Sequence, residues 1–187
     1  MALDDVLLEA EEKMAKTEEV VLKEFAGVRT GKASAGLVEN IMVEVYGGSQ
    51  MRIRELAGIT TPESRVITIT PWDKSTLQAI EKAIQKANLG LNPSVDRTLI
   101  RIVLPELSTE RRQEFSKIAK KMAEDGRVAI RHVRRDAIEE LKKQGKAGGV
   151  TEDEEKQAEK EIQKLTDQYT AKIDQHLAHK EKEIMTV

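Results

Sequence analysis

From Ser108 to Gln144 the chain carries apolar residues at steps of three and four with no proline, the pattern of one helix roughly 55 Å long at 1.5 Å per residue. Such a helix overreaches a compact globule of 187 residues and must lie in an elongated bundle. Its expected seam is Phe115, Ile118, Met122, Ala129, Val133 and Ala137, with Ser108 or Thr109 capping the start and Gly126 as a weak interior point. Two further segments supply partners. Residues 4–28 place Leu3, Leu7, Ala10, Met14, Thr17, Val21, Phe25 and Val28 on one stripe behind Asp4 or Asp5 as a cap. A third helix opens at Thr151, whose spacing to Glu154 is that of a capping box, and continues through Ala158, Ile162, Leu165, Tyr169, Ile173 and Leu177.

Between the first helix and the second the hydrophobic period falls to two. Ile41, Val43 and Val45 alternate with Met42, Glu44 and Tyr46, and Gly47-Gly48 closes that strand in a turn. Met51 and Ile53 suggest a short partner strand, Pro62 a loop, and Val66 to Thr70 a β-branched strand ended by Pro71. Asp73 is placed to cap a small helix with Leu77, Ile80, Ile84 and Ala87 on one face and Gly90 at its end. Asn92-Pro93 turns the chain, and Leu99 to Leu104 form a last strand stopped by Pro105. The expected architecture is therefore a two-domain α+β protein. An antiparallel three-helix bundle, discontinuous over 1–30 and 105–187, carries an inserted small β/α/β domain over 31–104. The insert has two connections, Arg29, Thr30 and Gly31 on one side and Leu104, Pro105 and Glu106 on the other, which makes these residues the expected hinge.

Absence of cysteine removes disulfides and thiolate chemistry, and no stretch approaches the roughly 20 apolar residues of a membrane span, so a cytoplasmic protein without membrane contact is expected. His132 reads as a surface residue, and His176 and His179 lack the further ligands of a metal site. Gly47-Gly48 and Gly148-Gly149 lack the Lys-Ser/Thr sequel of a phosphate-binding loop. No catalytic constellation, metal or cofactor is expected. Trp72, between Pro71 and Asp73, is expected to anchor the domain core or the hinge.

Charge is divided along the chain. Residues 1–30 hold four Lys/Arg against eight Asp/Glu and residues 151–187 six against ten, whereas residues 108–146 hold twelve against seven. On a helical projection Lys120, Arg127, Arg131 and Arg134 share an arc of roughly 60°, with Arg135 on its shoulder. Read against Ile118, Met122, Ala129 and Val133, the stripe faces away from the seam, free to follow a phosphate backbone with planar guanidinium forks. An acidic protein with no base-reading module points to RNA rather than DNA. The other reading is a coiled-coil chaperone-like or structural module whose acidic helices hold a protein partner.

Five stretches carry a specific resemblance: Val28 to Ser34, Asn88 to Pro93, Glu110 to Arg112, Val128 to Ala137, and Ile162 to Asp167. In these residues and their order the chain resembles the ribosome recycling factor family over essentially its whole length. The resemblance implies an L-shaped molecule with the bundle as one arm. It also implies a function: with elongation factor G, disassembly of the post-termination ribosomal complex and release of the ribosome from mRNA. It further implies a monomer whose bundle meets ribosomal RNA of the large subunit through Arg131 and Arg134, with Arg29, Arg112 and Arg127 on the same surface. Three stretches depart from the family pattern: Gly48 to Arg52, Ser94 to Thr98, and Asn88 in place of a common aspartate.

Overall fold

The computed structural model describes residues 2–186. These divide into two compact units, one drawn from residues 2–25 and 116–182, the other from residues 26–115 and 183–186.

Three long helices build the first unit: most of α1 (Leu3–Ala26), α4 (Thr109–Lys146) and α5 (Glu152–Met185). The α1 seam is close to the one its periodicity predicts, with Val6, Ala10, Met14, Val21 and Phe25 buried. In α5 the buried positions are Ala158, Ile162, Thr166, Tyr169, Ile173 and Ile184, and the Thr166 hydroxyl is satisfied by donating to the Ile162 carbonyl at 2.8 Å. The α4 seam differs from the expected one. Its buried residues are Ala119, Ala123, Gly126, Ile130, Ala137 and Leu141, whereas Ile118 is exposed and Met122, Ala129 and Val133 are only partly covered. Small side chains carry the seam from Ala119 to Gly126, where the neighbouring helices come close, and Ile130 and Leu141 fill it further along. A Cβ on Gly126 would lie 2.6 Å from Val21 Cγ2 and 3.2 Å from Ile173 Cδ1. Gly126 is thus a point of close approach, and Ile118, Met122 and Val133 stand off the seam.

Helix directions follow from the pairs that meet. Val21 faces Gly126 while Val6 and Ala10 share a cluster with Ala137 and Leu141, so α1 and α4 are antiparallel. Lys120 reaches Glu181 and Arg127 reaches Asp174, so α4 and α5 are antiparallel too.

The Thr151 capping box is present. The Thr151 N–H and hydroxyl each donate to Glu154 Oε2 at 2.8 Å, and the Glu154 N–H donates back to Thr151 Oγ1 at 3.3 Å. The Thr151 backbone N–H, and then its hydroxyl, hold the Glu154 carboxyl below its ordinary value. Thr151→Ala is expected to cost about 1 kcal/mol, read as a lower urea midpoint with an unchanged slope. A carboxyl lowered by folding stabilises above its unfolded pKa and loses that contribution as pH falls through the folded value, so the gap between wild type and T151A should narrow in acid.

In the second unit β1 (Met42–Val45) and β2 (Ser49–Arg52) form an antiparallel hairpin, and a single turn, α2 (Ile53–Leu56), leads into a four-stranded antiparallel sheet. That sheet contains β3 (Ala57–Glu63), β4 (Val66–Pro71), β5 (Pro93–Asp96) and β6 (Leu99–Val103) in the order β3-β4-β6-β5. Helix α3 (Leu77–Lys86) packs Ile80 and Ile84 into a core with Val43, Val45, Ile67, Ile69, Ile100 and Ile102. Two strands stand where a loop and a turn were expected. Pro62 lies within β3 and Pro93 opens β5, and both are edge strands, where a missing N–H costs no ladder bond.

Trp72 is not a core anchor. It is 70% exposed, and its neighbour Asp73 accepts hydrogen bonds from the Ser75 N–H at 2.9 Å and the Tyr46 hydroxyl at 2.8 Å. Arg97, in the turn between β5 and β6, has φ of 55°, which places a side chain in the left-handed region.

Candidate nucleic-acid interface

The burial phase of α4 decides how its basic residues are presented. Because the seam runs through Ala119, Ala123, Gly126, Ile130, Ala137 and Leu141, the cationic row lies roughly a quarter turn from it rather than opposite. The row is therefore graded. Arg134 and Arg127 sit nearest the buried side, the Arg127 side chain 22% exposed, while Arg131 and Arg135 project outward at 57% and 72%.

Partners differ along the row. Lys120 Nζ lies 3.6 Å from Glu181 Oε1, and Arg127 donates through Nε to Asp174 Oδ1 at 2.9 Å. These two cations reach across to the acidic α5, contrary to the expectation that the whole stripe avoids its helical neighbours. The physical reason is the shifted seam, which brings their side of α4 to the rim of the α4/α5 contact. Arg127 also donates through Nη1 to Glu124 Oε2 at 2.8 Å, and Arg131 donates through Nη2 to Glu124 Oε1 at 3.0 Å. The two carboxylates raise the Arg127 pKa despite the opposing effect of desolvation, its largest single influence. Arg135 has only a loose contact, 3.8 Å, with Glu139.

Arg134 stands apart. Among the described residues it has no acidic partner, and its Nε is buried without a hydrogen-bond acceptor. A hollow of about 560 Å³ extends over this part of α4, lined by Val128, Arg131, Arg134, Arg135, Ile138 and Lys142 together with His132 and the acidic Glu139. A phosphate oxygen placed there would meet forks that the protein itself leaves wholly or partly unfilled.

Arg29 and Arg112, the latter near the start of α4, belong to the second unit, so the expected RNA-facing residues are divided between the two units. Arg29 donates through Nη2 to the Pro105 carbonyl, tying one expected hinge segment to the other. Burial, and then the charge of Arg111, push its pKa down. Arg112 is half-buried with its Nε unpartnered. Around them Thr30 and Leu104 are buried, the Arg65 guanidinium lies 3.4 Å from Glu106, and a Cβ on Gly31 would lie 2.6 Å from the Thr186 carbonyl oxygen. All six expected hinge residues lie inside the second unit.

Sequence reasoning missed Glu124 and Asp174. Glu124 was legible, since it precedes Arg127 by three residues and Arg131 by seven, within reach on one helix face. Asp174 was not, because nothing local relates it to Arg127. His176 is explained by packing: its Nε2 lies 2.9 Å from Glu18 Oε1, joining α5 to α1.

Comparison with known proteins gives one answer. The family model described as Ribosome recycling factor matches residues 21–185. The ribosome-recycling factor of Thermosynechococcus vestitus is 51% identical over 181 residues, covering 97% of this chain and 99% of that protein. The Bacillus licheniformis protein of the same name is 48% identical, with 97% and 98% covered. A solution structure of a ribosome recycling factor superposes with a TM-score of 0.79 at 44% identity, covering 100% of this chain and 99% of that one. A second match, at TM-score 0.70 and 42% identity over the whole of both chains, comes from models of the Thermus thermophilus factor and Escherichia coli elongation factor G bound to a post-termination complex. A sequence match over nearly the full length, together with a fold match over all of it, shows that the chain belongs to the ribosome recycling factor family.

Proposed function

We propose that this chain acts with elongation factor G on the post-termination ribosome and that, as a monomer, it holds the large subunit through the outer face of α4. Family membership carries the activity: disassembly of the post-termination complex so that the ribosome leaves its mRNA. The protein contributes shape and charge and performs no covalent step. The observation that supports the RNA-facing reading is the gradient along α4. Lys120 and Arg127 are committed to acids on α5, while Arg131, Arg134 and Arg135 keep donors free over one hollow. Arg29 and Arg112, in the second unit, are proposed as further RNA contacts. The paired segments Arg29 to Gly31 and Leu104 to Glu106, both on the second unit's side of the chain crossings, are the proposed pivot, with the Arg29 bond to Pro105 holding them in step.

Arg134 gives the sharpest test. Its half-buried position means that Arg134→Ala removes packed stem as well as charge, so a modest loss of stability is expected alongside the loss of binding. Arg134→Lys keeps stem and charge but loses the fork. Affinity for purified large subunits should fall roughly ten- to one-hundred-fold in R134A, the worth of a charge-assisted hydrogen bond, and by less in R134K. The salt dependence should become shallower in R134A alone. Normal binding by the folded fraction of both variants would remove Arg134 from the interface.

A further inference from the structure

We infer that Glu124 is a positioning residue for the α4 arginine face, holding Arg131 in a binding geometry while restraining the attraction of the whole face for RNA in general. The inference rests on the reading that this face meets RNA.

One carboxylate serves two guanidinium groups here. Glu124 Oε2 accepts from Arg127 Nη1 at 2.8 Å and Oε1 accepts from Arg131 Nη2 at 3.0 Å, so both oxygens are engaged and the group bridges two turns of α4. Arg127 is fixed a second time, from Nε to Asp174 at 2.9 Å, which makes it a firm post on which the Glu124 carboxylate is itself steadied. Arg131 is the member left outward, 57% exposed, and a guanidinium has five N–H donors, so one bond to Glu124 leaves most of the fork open. The hydrogen bonds from Arg131, and then from Arg127, hold the Glu124 carboxyl below its ordinary range, so it stays ionised wherever the protein is studied near neutrality.

Two consequences of opposite sign follow. A long, rotamer-rich arginine that is already oriented loses less freedom on reaching a fixed phosphate, so Glu124 favours the site whose geometry matches. The same carboxylate subtracts one charge from the face and so weakens binding to any RNA whose phosphates are not arranged to fit. Arg134, with no acid of its own among the described residues, lacks this restraint; Arg131 has it.

The test compares wild type, Glu124→Ala, Glu124→Gln, Arg131→Ala and the E124A/R131A double variant on two probes, purified large ribosomal subunits and a poly(A)·poly(U) duplex, across a salt series. Glu124 is itself exposed, so its variants should fold as wild type does, which thermal unfolding checks. Both Glu124 variants should bind the duplex more tightly, with a salt slope steeper by roughly 0.7–0.9, and bind large subunits more weakly. The ratio of the two affinities should drop by roughly three- to tenfold, about what one net hydrogen bond is worth. In the R131A background, E124A should no longer weaken large-subunit binding, leaving only the small gain from the charge removed. A change by E124A of the same direction and size on both probes would mean that Glu124 acts through charge alone and would overturn the positioning role, as would full additivity with R131A. If R131A alone leaves large-subunit binding untouched, the RNA-facing reading itself fails and takes this inference with it.

Discussion

Gly126→Val is expected to destabilise the helical unit by about 3 kcal/mol, the upper end of what overpacking a tight core costs. The first carbon added at Gly126 would already stand 2.6 Å from Val21 Cγ2, on a β-branched side chain with little rotamer freedom, and 3.2 Å from Ile173 Cδ1. Valine adds two methyl groups beyond that carbon, so α1 or α5 must move. Gly126→Ala should cost less, because alanine regains about 1 kcal/mol of helix propensity against the same first clash. Urea unfolding of G126A, G126V and the G126A/V21A pair provides the check. Removing the Val21 methyl groups should relieve much of the clash, so the pair should be more stable than the sum of its single changes predicts. If G126V matches wild type, the three helices are not in the close contact described here.

Ile100→Ala is expected to cost about 2–5 kcal/mol, the range for emptying a fully buried aliphatic site. Ile100 is 0% exposed in β6, an inner strand, paired with Ile69 of β4 on one side and Val95 of β5 on the other. On the β5 side the neighbouring Ser94, Val95 and Asp96 are exposed, so little buried side chain borders the space there. Hydrogen exchange locates the damage. Amides of β4 and β6 should exchange faster, while those around Met14 and Ile130 should keep their protection if the two units open separately. Equal acceleration in α4 would show that the units unfold as one.

Several features were legible in the sequence because their causes are local. The Thr151–Glu154 box, the α1 and α5 stripes and the alternation of Val43 and Val45 each depend on residues within one or two turns or strands. The resembling stretches, from Val28 to Asp167, likewise identified the family before any geometry was known, and the comparisons agree. The prolines of β3 and β5 misled because sequence does not say which strands are edges; only the order β3-β4-β6-β5 does. Trp72 misled because a single large aromatic reads as core, whereas its place at the end of β4 leaves it 70% exposed.

The candidate interface was legible as a set of residues but not as a graded surface. Periodicity found the α4 arginines and gave them the right angular relation to one another, since that depends only on helical pitch. It set the seam in the wrong place because it followed the largest apolar side chains, Ile118 and Met122. The helices in fact meet through the small residues Ala119, Ala123 and Gly126 and then through Ile130 and Leu141. That shift decides which cations pair with α5 and which remain for a partner. The sequence by itself determined that α4 is a long basic helix in a bundle of aliphatic seams, because pitch, propensity and charge are carried by neighbours along the chain. Only the tertiary structure decided that Arg127 belongs to Asp174 and that, among the described residues, Arg134 has no acidic partner, because those depend on how closely two helices approach, a distance set jointly by residues far apart in the chain.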